Sequence, residues 1–136
     1  MQLTPLIAIH MAAALGALAT GPVALWARRA KAQHPRLHRA FGYAWVTLMV
    51  VTAVTAVFIR DFRLPNIAGY TPIHLLVPLT FAALFGAFWK LARRDVAGHR
   101  FLMQQLYFWA CIVAGSFTLL PQRYLGQVVW GGLGLA

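Results

Sequence analysis

Acidic side chains are nearly missing from this 136-residue chain, which has two of them against twelve lysines and arginines. Both acids, Asp61 and Asp95, fall between apolar runs, where we expect loops. The sequence therefore predicts no buried carboxylate to act as a general acid, a metal ligand or a proton relay. Hydrolytic and proton-coupled transport mechanisms are disfavoured for the same reason.

Cysteine occurs once, as Cys111, within the last long apolar run. A disulfide within one chain is therefore excluded, and a metal site built from thiolates is disfavoured. The net charge of +10 does not indicate nucleic acid, because the basic residues border apolar runs and no soluble domain presents them. Anionic lipid head groups are their expected partner.

Polar residues are too few for a soluble domain, since 61% of the chain is hydrophobic and its mean hydropathy is +0.69. Crossing a hydrocarbon core takes about 20 apolar residues. Four runs approach that length, at 3–26, 40–59, 71–89 and 101–120, whereas the apolar tail 128–136 is too short. Nothing around the first run indicates a removable signal peptide. We therefore predict an all-α membrane protein, a four-transmembrane-helix up-down bundle.

The chain repeats itself once. IHMAAALGALATGPVALWARR at 9–29 is echoed by IHLLVPLTFAALFGAFWKLARR at 73–94, and a His-Arg pair follows each copy. Such similarity indicates a duplicated structural unit. We expect a single membrane domain, 1–136, made of two tandem helical hairpins at about 3–59 and 71–120.

Basic residues are distributed unevenly over the predicted loops. One side holds Arg28, Arg29, Lys31, Arg36, Arg39, Lys90, Arg93, Arg94 and Arg100, and the other holds Arg60, Arg63 and Arg123. Positive charge is retained in the cytoplasm. Both termini are therefore expected on the non-cytoplasmic side.

Four histidines occupy equivalent positions in the two hairpins. His10 and His74 fall in the outward half, and His38 and His99 fall near the cytoplasmic ends of the second and fourth runs. In an up-down bundle, alternate helices lie on diagonals, so His10 would face His74 and His38 would face His99. Two stacked bis-imidazole sites in apolar surroundings are what two haems b require.

Basic residues accompany these histidines, as haem propionates would require. Arg39 and Arg100 directly follow the inner pair, and Arg60 and Arg123 are the candidates on the outer side. Other readings of the histidines remain open. The inner pair suits an interfacial role equally well, and the outer pair suits hydrogen bonds to a neighbouring helix. A single transition-metal ion shared by His10 and His74 would lack a nearby carboxylate.

Three polar residues follow His99 closely: Gln104, Gln105 and Tyr107. Their side chains could bind a quinone head group through hydrogen bonds. Glutamine and tyrosine near an interface are also ordinary anchors. A quinone is therefore a possible second ligand.

Two family resemblances bear on these expectations. The placement of histidines on alternate helices resembles the cytochrome b-561 class, in which four core helices hold two haems. The strings HPRLHRAFGYAW, TPIHLL, GHRFLMQQLYF and FTLLPQR, with the early IH, resemble the small bacterial membrane proteins grouped as domain of unknown function 2306. This second resemblance covers nearly the whole chain, including all four paired histidines, Arg39, Arg100 and Arg123. It implies a bacterial inner membrane protein and no particular activity.

Two functions from different classes follow. The first is a di-haem b cytochrome that transfers electrons to or from a quinone or a partner, with the four paired histidines as iron ligands. The alternative is a cofactor-free accessory subunit that packs against a larger membrane complex or another copy of itself. Whether the protein is an enzyme is left open by the sequence.

The orientation can be tested by labelling single introduced cysteines. A cysteine at Asn66 should react with an impermeant thiol reagent in intact spheroplasts, because the loop that holds Asn66 carries few positive charges. A cysteine at Asp95 should react only after the inner membrane is permeabilised. Labelling at Asn66 from the cytoplasmic side alone would overturn the predicted orientation.

Overall fold

The computed structural model describes residues 2–29 and 33–135, and in these ranges every helix and strand assignment is helical except one isolated bridge, Ile67 to Tyr70. The elements in chain order are α1 (Pro5–Trp26), α2 (Pro35–Phe58), a 3-10 helix (Pro72–Leu75), α3 (Leu76–Ala92), α4 (Val96–Leu106), a π-helix (Tyr107–Val113), α5 (Ala114–Phe117) and α6 (Tyr124–Gly132). The predicted all-α class is confirmed for the described residues.

Three helices are long and apolar enough to cross a membrane: Pro5–Trp26, Pro35–Phe58 and Pro72–Ala92. The fourth predicted run, 101–120, is helical as far as Phe117. It is divided among α4, the π-helix and α5, so it contains no single α-helix of spanning length. The helix α6 is short, as expected of an apolar tail that is too short to span a membrane. The last residue of that tail, Ala136, lies outside the described residues.

Local sequence fixes the helix starts. Thr4 caps α1, with its hydroxyl accepting from the Ile7 N–H at 3.3 Å, and Pro5 follows in the first turn. His34 precedes α2 and Pro35 opens it, where a missing N–H costs nothing. α2 therefore begins at Pro35, as this proline predicts, although the apolar run starts only at residue 40. The reason is that the first turn carries arginines, which hydropathy excludes from a span.

The turn between α3 and α4 is a Schellman motif. Arg94 takes a left-handed conformation, with a φ of 60°, while the N–H of Asp95 donates to the Lys90 carbonyl at 2.8 Å and that of Arg94 to Leu91 at 3.0 Å. The Asp95 carboxylate then caps α4 by accepting from the Gly98 N–H at 2.8 Å. This arrangement reverses the chain in three residues, Arg93 to Asp95, and places α4 against α3.

Helices that are neighbours in the chain are also neighbours in space. α2 packs against α1 and α3, α3 packs against α4, and the π-helix returns to contact α1. The buried core draws on every one of them; its members are Ala17, Trp45, Met49, Leu84, Leu106 and Cys111. Large apolar side chains such as Phe85 and Phe101 are exposed instead, as expected of surfaces that face lipid.

A proline in α1 is compensated from another helix. Pro22 has no N–H, so the carbonyl of Leu18, four residues earlier, loses its partner within the helix. The hydroxyl of Tyr107 donates to this carbonyl at 3.0 Å. Gly21 permits the approach, because a Cβ there would collide with the Tyr107 ring. An unpaired carbonyl in hydrocarbon is costly, so this bond ties the π-helix to α1.

Tyr107→Phe should therefore lower the free energy of unfolding by about 1 kcal/mol. Pro22→Ala restores an N–H that can pair with Leu18, so in that background the same substitution should cost nearly nothing. Denaturant unfolding in detergent micelles measures both. Tyr43→Phe, at an exposed tyrosine, is the matched control. An equal cost of Tyr107→Phe in the two backgrounds would show that the hydroxyl does not replace the missing N–H.

Candidate functional site

The two inner histidines make the same hydrogen bond in the two hairpins. Nδ1 of His38 on α2 lies 2.7 Å from the carbonyl oxygen of Ala24 on α1, and Nδ1 of His99 on α4 lies 3.0 Å from that of Ala87 on α3. Each histidine thus fastens its helix to the preceding one. Both side chains are half-buried.

The two acceptors also correspond in sequence. Ala24 belongs to the string ALW of the first repeat and Ala87 to AFW of the second. Ala24 lies in the last turn of α1, where carbonyl oxygens lack partners within the helix, so His38 also satisfies the end of α1. The repeat has therefore duplicated a contact as well as a histidine.

This bond determines which nitrogen carries the proton. A carbonyl oxygen cannot donate, so Nδ1 of both His38 and His99 must be the N–H of the neutral ring. Nε2 is then the atom with the lone pair, and it has no hydrogen-bond partner among the described residues. Histidines that bind metals usually hold the other N–H in this way, on a carbonyl or a carboxylate. The inner pair thus has the donor chemistry of axial haem ligands.

The outer histidines differ from the inner pair and from each other. Nδ1 of His10 lies 3.0 Å from the Thr52 carbonyl and 2.9 Å from the Thr55 hydroxyl, which leaves Nε2 without a partner in the described chain. His74 uses both nitrogens: Nε2 donates to Ile59 at 2.9 Å, and Nδ1 accepts from the Thr71 N–H at 3.1 Å.

Binding iron through Nε2 would require His74 to give up its bond to the Ile59 carbonyl. The outer pair consequently fits an iron site less well than the inner pair. His74 in this structure fastens the start of the third span to the end of α2.

Most of the chain matches a family of membrane proteins. The family model described as "Predicted membrane protein (DUF2306)" matches residues 7–122. The chain belongs to the DUF2306 family. No curated protein and no solved structure matches it. The matched range includes all four paired histidines of this DUF2306 member.

Three arginines predicted beside the haems are placed differently from one another. Arg39 is exposed at the start of α2. Nη2 of Arg100 lies 3.5 Å from the carbonyl of Arg28, across the two hairpins. Nη1 of Arg123 lies 2.7 Å from the carboxylate of Asp61.

The prediction that both acids lie in exposed loops is wrong for Asp61. Its side chain is 8% exposed, with Arg123 on one oxygen and the Arg63 N–H, at 2.9 Å, on the other. Asp61 is in a loop, as predicted, but the segment after α5 covers it. The Asp61 carboxylate is paired with Arg123 and is therefore not available as a proton donor.

Asp95, the second acid, is exposed and paired with Lys90 at 3.2 Å. Its bond from the Gly98 N–H and the nearby ammonium group hold the pKa of the Asp95 carboxyl below its usual range. Among the described residues, no group of three or more histidines, cysteines or acids is arranged to hold a metal ion directly. This does not bear on haem, whose iron takes only two protein ligands.

Two of the three residues considered for a quinone have structural partners. The Tyr107 hydroxyl is bonded to α1, and the Gln105 carbonyl oxygen accepts from the Trp109 indole at 3.2 Å. Gln104 is exposed. A quinone near α4 would therefore depend on Gln104, and it stays a prediction.

The buried indole of Trp45 was not anticipated from the sequence. It is 4% exposed, and its N–H has no acceptor at hydrogen-bonding distance in the described chain. Cys111 lies beside it, but sulfur is a weak acceptor. Trp45 follows His38 by seven residues and thus lies on the same face of α2, two turns deeper.

Arg123→Gln should lower the free energy of unfolding by about 3 kcal/mol, because it leaves the buried Asp61 carboxylate without its cation. Arg63→Gln makes the same charge change at an exposed side chain and should have little effect. Thermal unfolding of the purified protein measures both. Adding Asp61→Asn to Arg123→Gln should recover part of the loss, and a purely additive double variant would show that the pair does not act as described.

Proposed function

We propose that this DUF2306 member is a haem b protein of the membrane, with His38 and His99 as the axial ligands. One observation carries the proposal: the two rings hold the same N–H on equivalent carbonyls, and this leaves Nε2 as the lone-pair atom on both. The two histidines come from α2 and α4, which are separated in the chain by α3. The bound haem would supply reversible one-electron exchange at its iron.

The chain's own residues would position and insulate that group. The carbonyls of Ala24 and Ala87 fix both imidazole orientations and increase the electron density on Nε2. Both alanines are small and buried.

The proposal includes a fourth membrane span. The stretch from Val96 to Phe117 is helical without a break and almost free of charge after Arg100. It begins at the capped turn at Asp95 and ends before Arg123. With this span the chain forms an up-down bundle of two hairpins in a bacterial inner membrane, with both termini outside. A second haem at His10 and His74 is a weaker extension, since His74 has no free nitrogen.

The protein should bind haem through the inner pair when it is expressed with haem available. We expect a low-spin b-type absorbance spectrum that both His38→Ala and His99→Ala abolish. His34→Ala is the control, because His34 is exposed and stacked on Trp26. His74→Ala should leave the signal of the inner site unchanged.

Rescue by free imidazole distinguishes a ligand role of these histidines from a structural role. His38→Gly and His99→Gly should regain low-spin absorbance when free imidazole is added, because imidazole replaces the ligand but not the tether to α1 or α3. Well-folded, full-length protein that stays colourless with haem present would refute the proposal. The accessory-subunit function would then be tested by co-purification with a larger membrane assembly.

A further inference from the structure

We call the side of the protein that holds the α1–α2 and α3–α4 connections the inner rim. It carries positive charge that the acids of the chain cannot neutralise. The chain has only two acidic side chains. Asp61 is paired with Arg123 on the opposite side, and Asp95 is paired with Lys90. The remaining guanidinium groups of the inner rim, those of Arg28, Arg29, Arg36, Arg39, Arg93, Arg94 and Arg100, have no carboxylate partner in the described chain.

Two of these arginines line one groove. Arg36 and Arg39 lie three residues apart on the exposed side of α2, and with Pro35 and Ala40 they line an open surface groove of about 400 Å³. Like charges at this spacing on a helix repel each other and destabilise it. An anion held between them would remove that repulsion, while Pro35 and Ala40 offer apolar surface beside it.

We propose that this groove binds the phosphate of an anionic phospholipid of the phosphatidylglycerol type. The groove opens at the end of a membrane-spanning helix, beside Trp26 and His34, whose stacked rings mark the head-group level. A phosphodiester between the two guanidinium groups would place its acyl chains along α2. A lipid fits both the charge and the apolar border of the groove.

This inference gives Arg39 a partner different from the haem propionate expected from the sequence. His38 directs its ring toward α1, whereas the next residue, Arg39, is exposed on the groove with Arg36. Lipid binding here does not require haem. The two proposals can therefore fail separately.

Native mass spectrometry of the full chain in mixed micelles provides the test, with dioleoylphosphatidylglycerol compared with dioleoylphosphatidylcholine. We expect wild-type protein to retain the anionic lipid selectively. Each basic residue near an anionic surface is worth about fivefold in binding, so Arg36→Gln with Arg39→Gln should weaken retention roughly thirtyfold. Arg36→Lys with Arg39→Lys keeps the charge and should preserve most of the binding.

Arg93→Gln with Arg94→Gln is the matched control, since it removes the same charge from the other hairpin. Equal loss in the two glutamine pairs would show a diffuse charge effect and overturn the site. Displacement of the lipid by an equal concentration of inorganic phosphate would also overturn it. A shifted haem potential in Arg39→Gln, with lipid retention unchanged, would assign Arg39 to a propionate instead.

Discussion

Donation from side chains to backbone carbonyls holds this membrane protein together. His38, His99, His10 and His74 each contact a carbonyl oxygen of a neighbouring segment, and Tyr107 donates to the carbonyl that Pro22 leaves unpaired. In a bilayer, apolar packing alone gives a helix little preference for another helix over lipid. Directional bonds to specific carbonyls therefore set which helices meet and in which register. The same bonds fix the imidazole tautomers on which the proposed haem site depends.

Much of the architecture could be predicted from hydropathy and repetition. The helical class, the start of α2 at Pro35 and the short tail follow from local patterns, and the structure agrees. The burial of Asp61 did not follow, because it depends on the segment around Arg123, about sixty residues later. The π-helix within the fourth run could not be predicted, since hydropathy does not register a change from i+4 to i+5 hydrogen bonding.

The candidate site was likewise predictable only in part. The sequence repeat treats the four histidines as equivalent. The structure distinguishes them by whether Nε2 has a hydrogen-bond partner. A signal for the inner pair was present in the strings ALW and AFW, whose alanines accept the two bonds. Nothing in the sequence indicated that His74 would use both nitrogens, because the partner carbonyl of Ile59 belongs to a loop. Pro22 leaves the Leu18 carbonyl without a partner within α1, but nothing in the sequence indicates that Tyr107 satisfies it.

The π-helix from Tyr107 to Val113 has a further effect on the second hairpin. Each turn of a π-helix takes up an additional residue, so side chains beyond it are rotated relative to the face that His99 and Leu106 define. Phe117, at the end of α5, accordingly lies exposed rather than in line with the core. The two hairpins thus share the histidine-to-carbonyl contact at one end, whereas the π-helix occurs only in the second hairpin among the described residues. Toward the opposite end, the two hairpins present unlike surfaces, and a partner that recognises one would not recognise the other.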